Sequence, residues 1–256
     1  MKVTLIDHTQ DALTLLLRTK GTRLGHEDDP AMWTTEKRLE HLAYMKDTIK
    51  SSWEFVRYTF QIEDVTRAFT HQLVRTRNGS YAQESQRTVD VSDNGYLIPE
   101  SLLDDEFNGW AYREAMDHAV GTYGSLVDKG VHPQDARGVL PTNMLTSIIA
   151  SFSLRTLHEM ALVRLCTRTQ GEYQRVFKEM KAAVVAVHTW AEPFIRVACA
   201  QNGICVFPRY TACPIQPLTY NGQAAERHKR TTDFIQQEWS KMEHVAAPVA
   251  KEGMTQ

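Results

Sequence analysis

The 256-residue sequence has only four cysteines, Cys166, Cys199, Cys205 and Cys213, and no two of them form a C-x-x-C pair. That spacing excludes a disulfide framework and a zinc knuckle as organising devices, and it reads instead as buried thiols. The ten histidines never form His-Glu-x-x-His; His158-Glu159 lacks the second imidazole, so no metal site is expected. Neither G-x-G-x-x-G nor G-x-x-x-x-G-K-[ST] occurs, which argues against a Rossmann dinucleotide domain and a P-loop. No apolar run approaches the roughly 20 residues needed to span a bilayer. The start, Met1-Lys-Val-Thr-Leu-Ile-Asp7, is strand-like and not a secretory signal. A formal net charge of −2 gives no general attraction to nucleic acid or an anionic membrane, so clustered arginines must act locally. The expectation is a cytoplasmic protein with neither of those partners.

What is present is enough apolar material, 42% of the residues, for one large core. Residues 1–8 alternate as a strand, and 11–20 form a helix ending near Gly21. Thr34 or Thr35 caps a helix to about Lys50, with Leu39, Leu42, Ala43 and Met45 as its buried stripe. Residues 53–62 alternate like a half-buried strand. Asp64 caps a helix with Val65, Ala68, Phe69, Gln72 and Leu73 on one face. Pro99 opens a helix over 100–129, broken by Gly130-Val-His-Pro133. Residues 142–151 read as a strand, with helices from Leu154, over 172–199 and over 225–244, and a loose tail from about 245. Strands and helices mix without a βαβ rhythm. The expected class is therefore α+β: a single domain over 1–256 whose mixed, mainly antiparallel sheet packs against long helices.

The densest chemistry lies in Arg75-Thr-Arg-Asn-Gly-Ser-Tyr-Ala-Gln-Glu-Ser-Gln-Arg87, where three arginines and two serines surround Gly79. Guanidinium forks match phosphate oxygens bidentately, hydroxyls and amides add shorter donors, and a glycine lets backbone approach a ligand. A phosphorylated substrate is the natural guest. No cysteine stands in a Pro-Cys-His setting, and Ser85 has no general base, so no protein nucleophile is evident.

This segment resembles the signature of the flavin-dependent thymidylate synthases, Arg-His-Arg-x-x-Ser-x-x-x-x-Ser-x-Arg. Arg75, Arg77, Ser80, Ser85 and Arg87 match in register, and Thr76 stands where the histidine is expected. The resemblance continues in Thr70-His-Gln-Leu-Val74, in Gln134-Asp-Ala-Arg-Gly-Val-Leu-Pro141, in Ser153-Leu-Arg155 and in Gln170-Gly-Glu172, and covers roughly residues 40–215. It implies methylation of dUMP to dTMP with methylenetetrahydrofolate and NADPH as co-substrates and FAD as cofactor, in a homotetramer with shared active sites.

Carried over by position, the dUMP set falls on Gln72, Arg75, Gln83, Glu84, Ser85, Gln86, Arg87, Arg137 and Arg164. In that set Ser85, Arg87 and loop amides hold the phosphate, and Arg164 is the catalytic group that polarises the uracil. The FAD set falls on Ser51, Arg75, Thr76, Arg77, Gln83, Ser153, Leu154, Arg155 and Glu159. Ser153 and Glu159 replace residues that are usually asparagine, and with Thr76 they weaken or alter the expected flavin contacts. Two alternatives follow from those departures: a diverged pyrimidine deoxynucleotide methyl- or hydroxymethyltransferase, or a non-catalytic nucleotide-binding homologue.

Overall fold

In the computed structural model the described residues are 1–25, 29–203, 205, 207 and 213. The helix expected over 225–244 and the tail from about 245 lie outside them. The class is α+β, with one four-stranded antiparallel sheet in the order β1-β2-β4-β3. Its strands are β1 (Lys2–His8), β2 (Arg57–Thr66), β3 (Ser80–Gln83) and β4 (Leu145–Ser153).

Internal contacts group the chain into two compact units, residues 1–7 with 59–152, and residues 8–58 with the segment from 153 onward. The first holds most of the sheet. Period-2 alternation buries Phe60 and Ile62 of β2 and Ile148, Ala150 and Phe152 of β4, as expected for strands with one face in a core. Asp64 interrupts that alternation with φ of 54°, a left-handed conformation that aspartate tolerates better than most residues. It lies within β2, which runs on to Thr66, and does not cap a helix. The cap is Thr66, whose hydroxyl accepts from the Phe69 amide at 3.0 Å and starts α3 (Arg67–Leu73). β3 pairs antiparallel with β4, Ser80 opposite Ser151 and Gln83 opposite Ile148, so four residues of the expected arginine loop form a strand.

The helix expected over 100–129 is two elements. A short 3₁₀ turn covers Glu100–Leu102, and α4 (Glu106–Asp128) begins where the Asp105 carboxylate accepts from the Asn108 amide at 2.9 Å. Tyr123 of α4 packs with Val91 and with Ala136 of α5 (Pro133–Ala136).

In the second unit, α1 (Ala12–Leu24) runs through Gly21 and stops at Gly25, which takes the left-handed C-cap conformation. Thr34 caps α2 (Thr35–Asp47), whose buried residues are Leu42 and Met45; Leu39 is half-buried and Ala43 is exposed. The strand expected over 53–62 starts only at Arg57, because Ser51–Phe55 form a 3₁₀ turn that buries Trp53. α6 (Leu154–Arg164) is capped by Ser153. The single helix expected over 172–199 is α7 (Gly171–Val187), a 3₁₀ turn over Thr189–Phe194, and α8 (Ala198–Asn202). The break falls at His188, with φ −134° and ψ 80°, and Pro193 five residues on has no amide to give a continuing helix.

Candidate functional site

The arginine segment leaves the C-terminus of α3 through a tight turn. The amides of Arg75, Thr76 and Gly79 donate to the carbonyls of Gln72, Leu73 and Thr76. The Tyr81 hydroxyl closes this turn, reaching the Thr76 carbonyl at 2.6 Å and the Leu73 carbonyl at 3.1 Å, and its ring meets Phe152 edge-on at 5.7 Å. Gly79 sits under both rings. A Cβ there would stand 2.5 Å from Phe152 Cε1 and 2.5 Å from the Tyr81 oxygen. Gly79 is absent from the positive-φ glycines, so the fold needs it for room beneath the two rings and not for a special backbone angle.

With the turn so held, Arg75 and Arg77 are exposed, and neither has an ion-pair partner among the described residues. They line a depression of ≈ 290 Å³ together with His71 and Val74. This is near the low end for small-ligand sites, room for part of a cofactor.

Around β3 the polar side chains are already oriented. The Gln83 amide donates to Thr70 Oγ1 at 2.8 Å. The Glu84 carboxylate accepts from Asn94 Nδ2 at 2.8 Å and from Thr146 Oγ1 at 3.1 Å, both on Oε2. The Glu84 carbonyl accepts from Arg67 Nη2 at 2.7 Å. Burial lowers the proton affinity of the Arg67 guanidinium, Glu84 partly restores it, and the like charge of Arg137 lowers it again; the three groups are electrostatic neighbours. Arg67, Asn94 and Thr146 were not singled out in the sequence, since each reaches Glu84 only through the fold. Ser85 Oγ accepts from the Arg87 amide at 3.2 Å, so its own O–H is left to donate. Gln72 and Gln86 are half-buried, and Arg87 and Arg137 are exposed.

In the second unit Ser153, Arg155 and Glu159 do come together, with Glu54 joining them. Ser153 Oγ donates to Glu54 Oε2 at 2.7 Å; Arg155 pairs with Glu159 at 3.0 Å and with Glu54 at 3.4 Å. The Glu159 hydrogen bond, aided by the charges of Glu159 and Glu54, holds the Arg155 guanidinium more firmly protonated than usual. Leu154 is buried and Ser51 is exposed at the start of the 3₁₀ turn. Arg164, at the end of α6, makes no ion pair among the described residues; its guanidinium lies 4.4 Å from the centre of the Tyr173 ring. Arg168 similarly lies 4.6 Å from Phe207.

Cys166, Cys199 and Cys205 are free thiols, and burial pushes Cys199 up, away from nucleophilic use. No metal-binding group of three histidine, cysteine or acidic residues occurs among the described residues. No described helix is long and apolar enough to cross a membrane.

A flavin dinucleotide would need cationic donors for its pyrophosphate and a flat or apolar bed for its ring. The first unit fits: two uncompensated guanidiniums border a depression with an imidazole and an isopropyl group in its wall. Arg155 fits less simply, because two carboxylates already meet its charge.

Comparison with known proteins points the same way. The sequence model of the family described as thymidylate synthase complementing protein matches residues 4–189. The flavin-dependent thymidylate synthase of Pyrococcus abyssi is 30% identical over 80% of this chain and 89% of its own length. That of Geobacter sulfurreducens is 34% identical over 73% of this chain and 83% of its own. A solved UMP/dUMP methylase from Streptomyces cacaoi, bound with 5-Br dUMP, superposes with a TM-score of 0.69 over 77% of this chain and 97% of its own. At 19% identity that likeness concerns the fold.

Proposed function

Because the chain belongs to the flavin-dependent thymidylate synthase family, we propose that it methylates dUMP to dTMP, taking the carbon from methylenetetrahydrofolate and the reducing equivalents from NADPH. The observation that carries this reading is the arginine turn itself. Arg75 and Arg77 stand exposed, with no ion-pair partner among the described residues, over a shared depression, on a turn fixed by Tyr81, followed at the set spacing by Ser85 and Arg87.

Each residue has a definite task in this reading. The Ser85 hydroxyl and the Arg87 and Arg137 guanidiniums hold the phosphate, and Gln72, Gln83, Glu84 and Gln86 orient the sugar and base. Charge-assisted contacts are worth about 1.5–3 kcal/mol each, so three of them suffice for micromolar binding after association costs. Arg164 meets the uracil edge. Its permanent charge stabilises negative charge developing on the ring and raises electron density at C-5, and the Tyr173 face fixes the guanidinium without neutralising it, as a carboxylate would. Arg75, Thr76, Arg77 and Gln83, with Ser51, Ser153, Arg155 and Glu159, would hold FAD. When bound, the flavin supplies one-carbon carriage and reduction, chemistry that no side chain of the chain offers.

Assembly as a homotetramer fits the surface. Phe107 and Trp110 of α4 are 71% and 56% exposed, side by side, an aromatic patch that a subunit contact would cover. We place the enzyme in the cytoplasm, with its nucleotide, folate and NADPH supply. Incubation of purified protein with dUMP, labelled methylenetetrahydrofolate, FAD and NADPH should yield labelled dTMP. A product carrying hydroxymethyl instead of methyl would favour the diverged transferase, and dUMP binding without turnover would favour the non-catalytic homologue. Light scattering that gives a fully active monomer would refute the tetramer.

A further inference from the structure

The signature places an imidazole between its two arginines, and this chain has Thr76 there. The structure shows Thr76 occupied in the turn: its amide donates to Leu73, and its carbonyl receives both the Gly79 amide and the Tyr81 hydroxyl. Thr76 is not among the residues lining the depression bordered by Arg75 and Arg77. An imidazole is there nevertheless, brought by another position. His71 lies in the last turn of α3, and the helical geometry continues past it, with Val74 donating to the Thr70 carbonyl at 3.0 Å. Residues three and four apart share a helix face, so His71, Val74 and Arg75 come to one side, and Arg77 joins them through the turn. His71 is exposed, and no hydrogen bond or ion pair holds it among the described residues.

We propose that His71 is a cofactor-contacting residue of this enzyme, supplying from one helical turn upstream the ring that the family signature supplies at position 76. The inference rests on the flavin reading given above. Its chemistry is that of imidazole: a flat face for a conjugated ring system, and an N–H for a carbonyl or phosphate oxygen. Threonine offers a hydroxyl and no face. The position also accounts for the tolerance of threonine at 76, since a ring still stands beside Arg75 and Arg77.

The test is a titration of flavin-free protein with FAD, followed by quenching of flavin fluorescence, for wild type, His71→Ala, Thr76→His and the double variant. His71→Ala should weaken FAD binding at least tenfold while leaving dUMP affinity, measured calorimetrically without flavin, within twofold. Thr76→His in the His71→Ala background should recover most of that loss. Since His71 is exposed, the variants should keep the wild-type melting temperature; if His71→Ala does not fold, His71→Gln, which removes the ring and keeps a polar group, carries the same expectation. Wild-type and His71→Ala proteins that bind FAD within twofold of one another would overturn the inference and leave the flavin reading standing. A wild type that binds no FAD would overturn both.

Discussion

Gly79→Ala is the most direct probe of how the arginine turn is built. The added methyl would sit 2.5 Å from Phe152 Cε1 and from the Tyr81 oxygen, so one side must retreat by about 0.9 Å to reach the 3.4 Å where ordinary contact begins. Neither ring can yield freely: Phe152 is fully buried, and Tyr81 is tied to two carbonyls of the turn. Overpacking of this kind costs roughly 1–3 kcal/mol, seen as a lowered urea midpoint in the flavin-free protein at fixed concentration. If the Tyr81 side retreats, the carbonyls of Leu73 and Thr76 lose their clamp and Arg75 and Arg77 move with them. A displacement near 1 Å in positioning groups can cost on the order of 100-fold in turnover. Phe152→Leu should relieve part of the clash, so the double variant should be less destabilised than the sum of the singles. A Gly79→Ala protein within about 0.5 kcal/mol of wild type, the spread of neutral surface changes, would refute this account of the glycine.

Three further outcomes follow from particular contacts. Arg164→Ala should lower kcat more than it weakens dUMP binding, because its charge matters most as the ring becomes anionic, whereas Arg87→Ala should raise the dUMP Kd by about tenfold or more with a smaller effect on kcat; steady-state kinetics and calorimetry separate the two. Glu159→Asn removes the nearer of two carboxylates on Arg155 and restores the amide usual in the family, so FAD should bind several-fold more tightly in a fluorescence titration; unchanged or weaker binding would refute the claim that Glu159 competes for Arg155. Burial lowers the pKa of both His158 and His188, so below about 6.5, the ordinary histidine value, the unfolded chain takes up protons that the folded chain refuses. Stability should therefore fall as pH drops from about 7 toward 5, and His158→Gln, retaining a donor for the Phe194 carbonyl now 2.7 Å from Nδ1, should flatten that slope in urea titrations.

The sequence by itself determined the class and the identity of the chemistry. Alternation in 1–8, the apolar, β-branched run over 142–151 and the apolar period from Leu154 are local signals; β1 and α6 appear where those signals put them, and β4 is shifted to Leu145–Ser153. The arginine–serine register is likewise a linear pattern, sufficient to indicate the family. Boundaries went astray where a local competitor won. Thr66 and Asp105 cap the helices expected to start at Asp64 and Pro99, and His188 with Pro193 divides the one expected over 172–199. Residues 80–83 offered only four positions of alternation, too few to read as a strand without β4 beside them.

Only the tertiary structure decided how the site is held. Glu84 is oriented by Asn94 and Thr146, ten and sixty-two residues away in sequence, and Gly79 answers to Phe152, because side chains far apart in the chain become neighbours when β3 pairs with β4. Arg155 is met by Glu54 from a turn about a hundred residues earlier, which no spacing rule anticipates. The imidazole beside Arg75 and Arg77 comes from His71 and not from position 76, because the continuing helix turns residue 71 onto the same face as 74 and 75 while the Tyr81 clamp holds Thr76 in the turn.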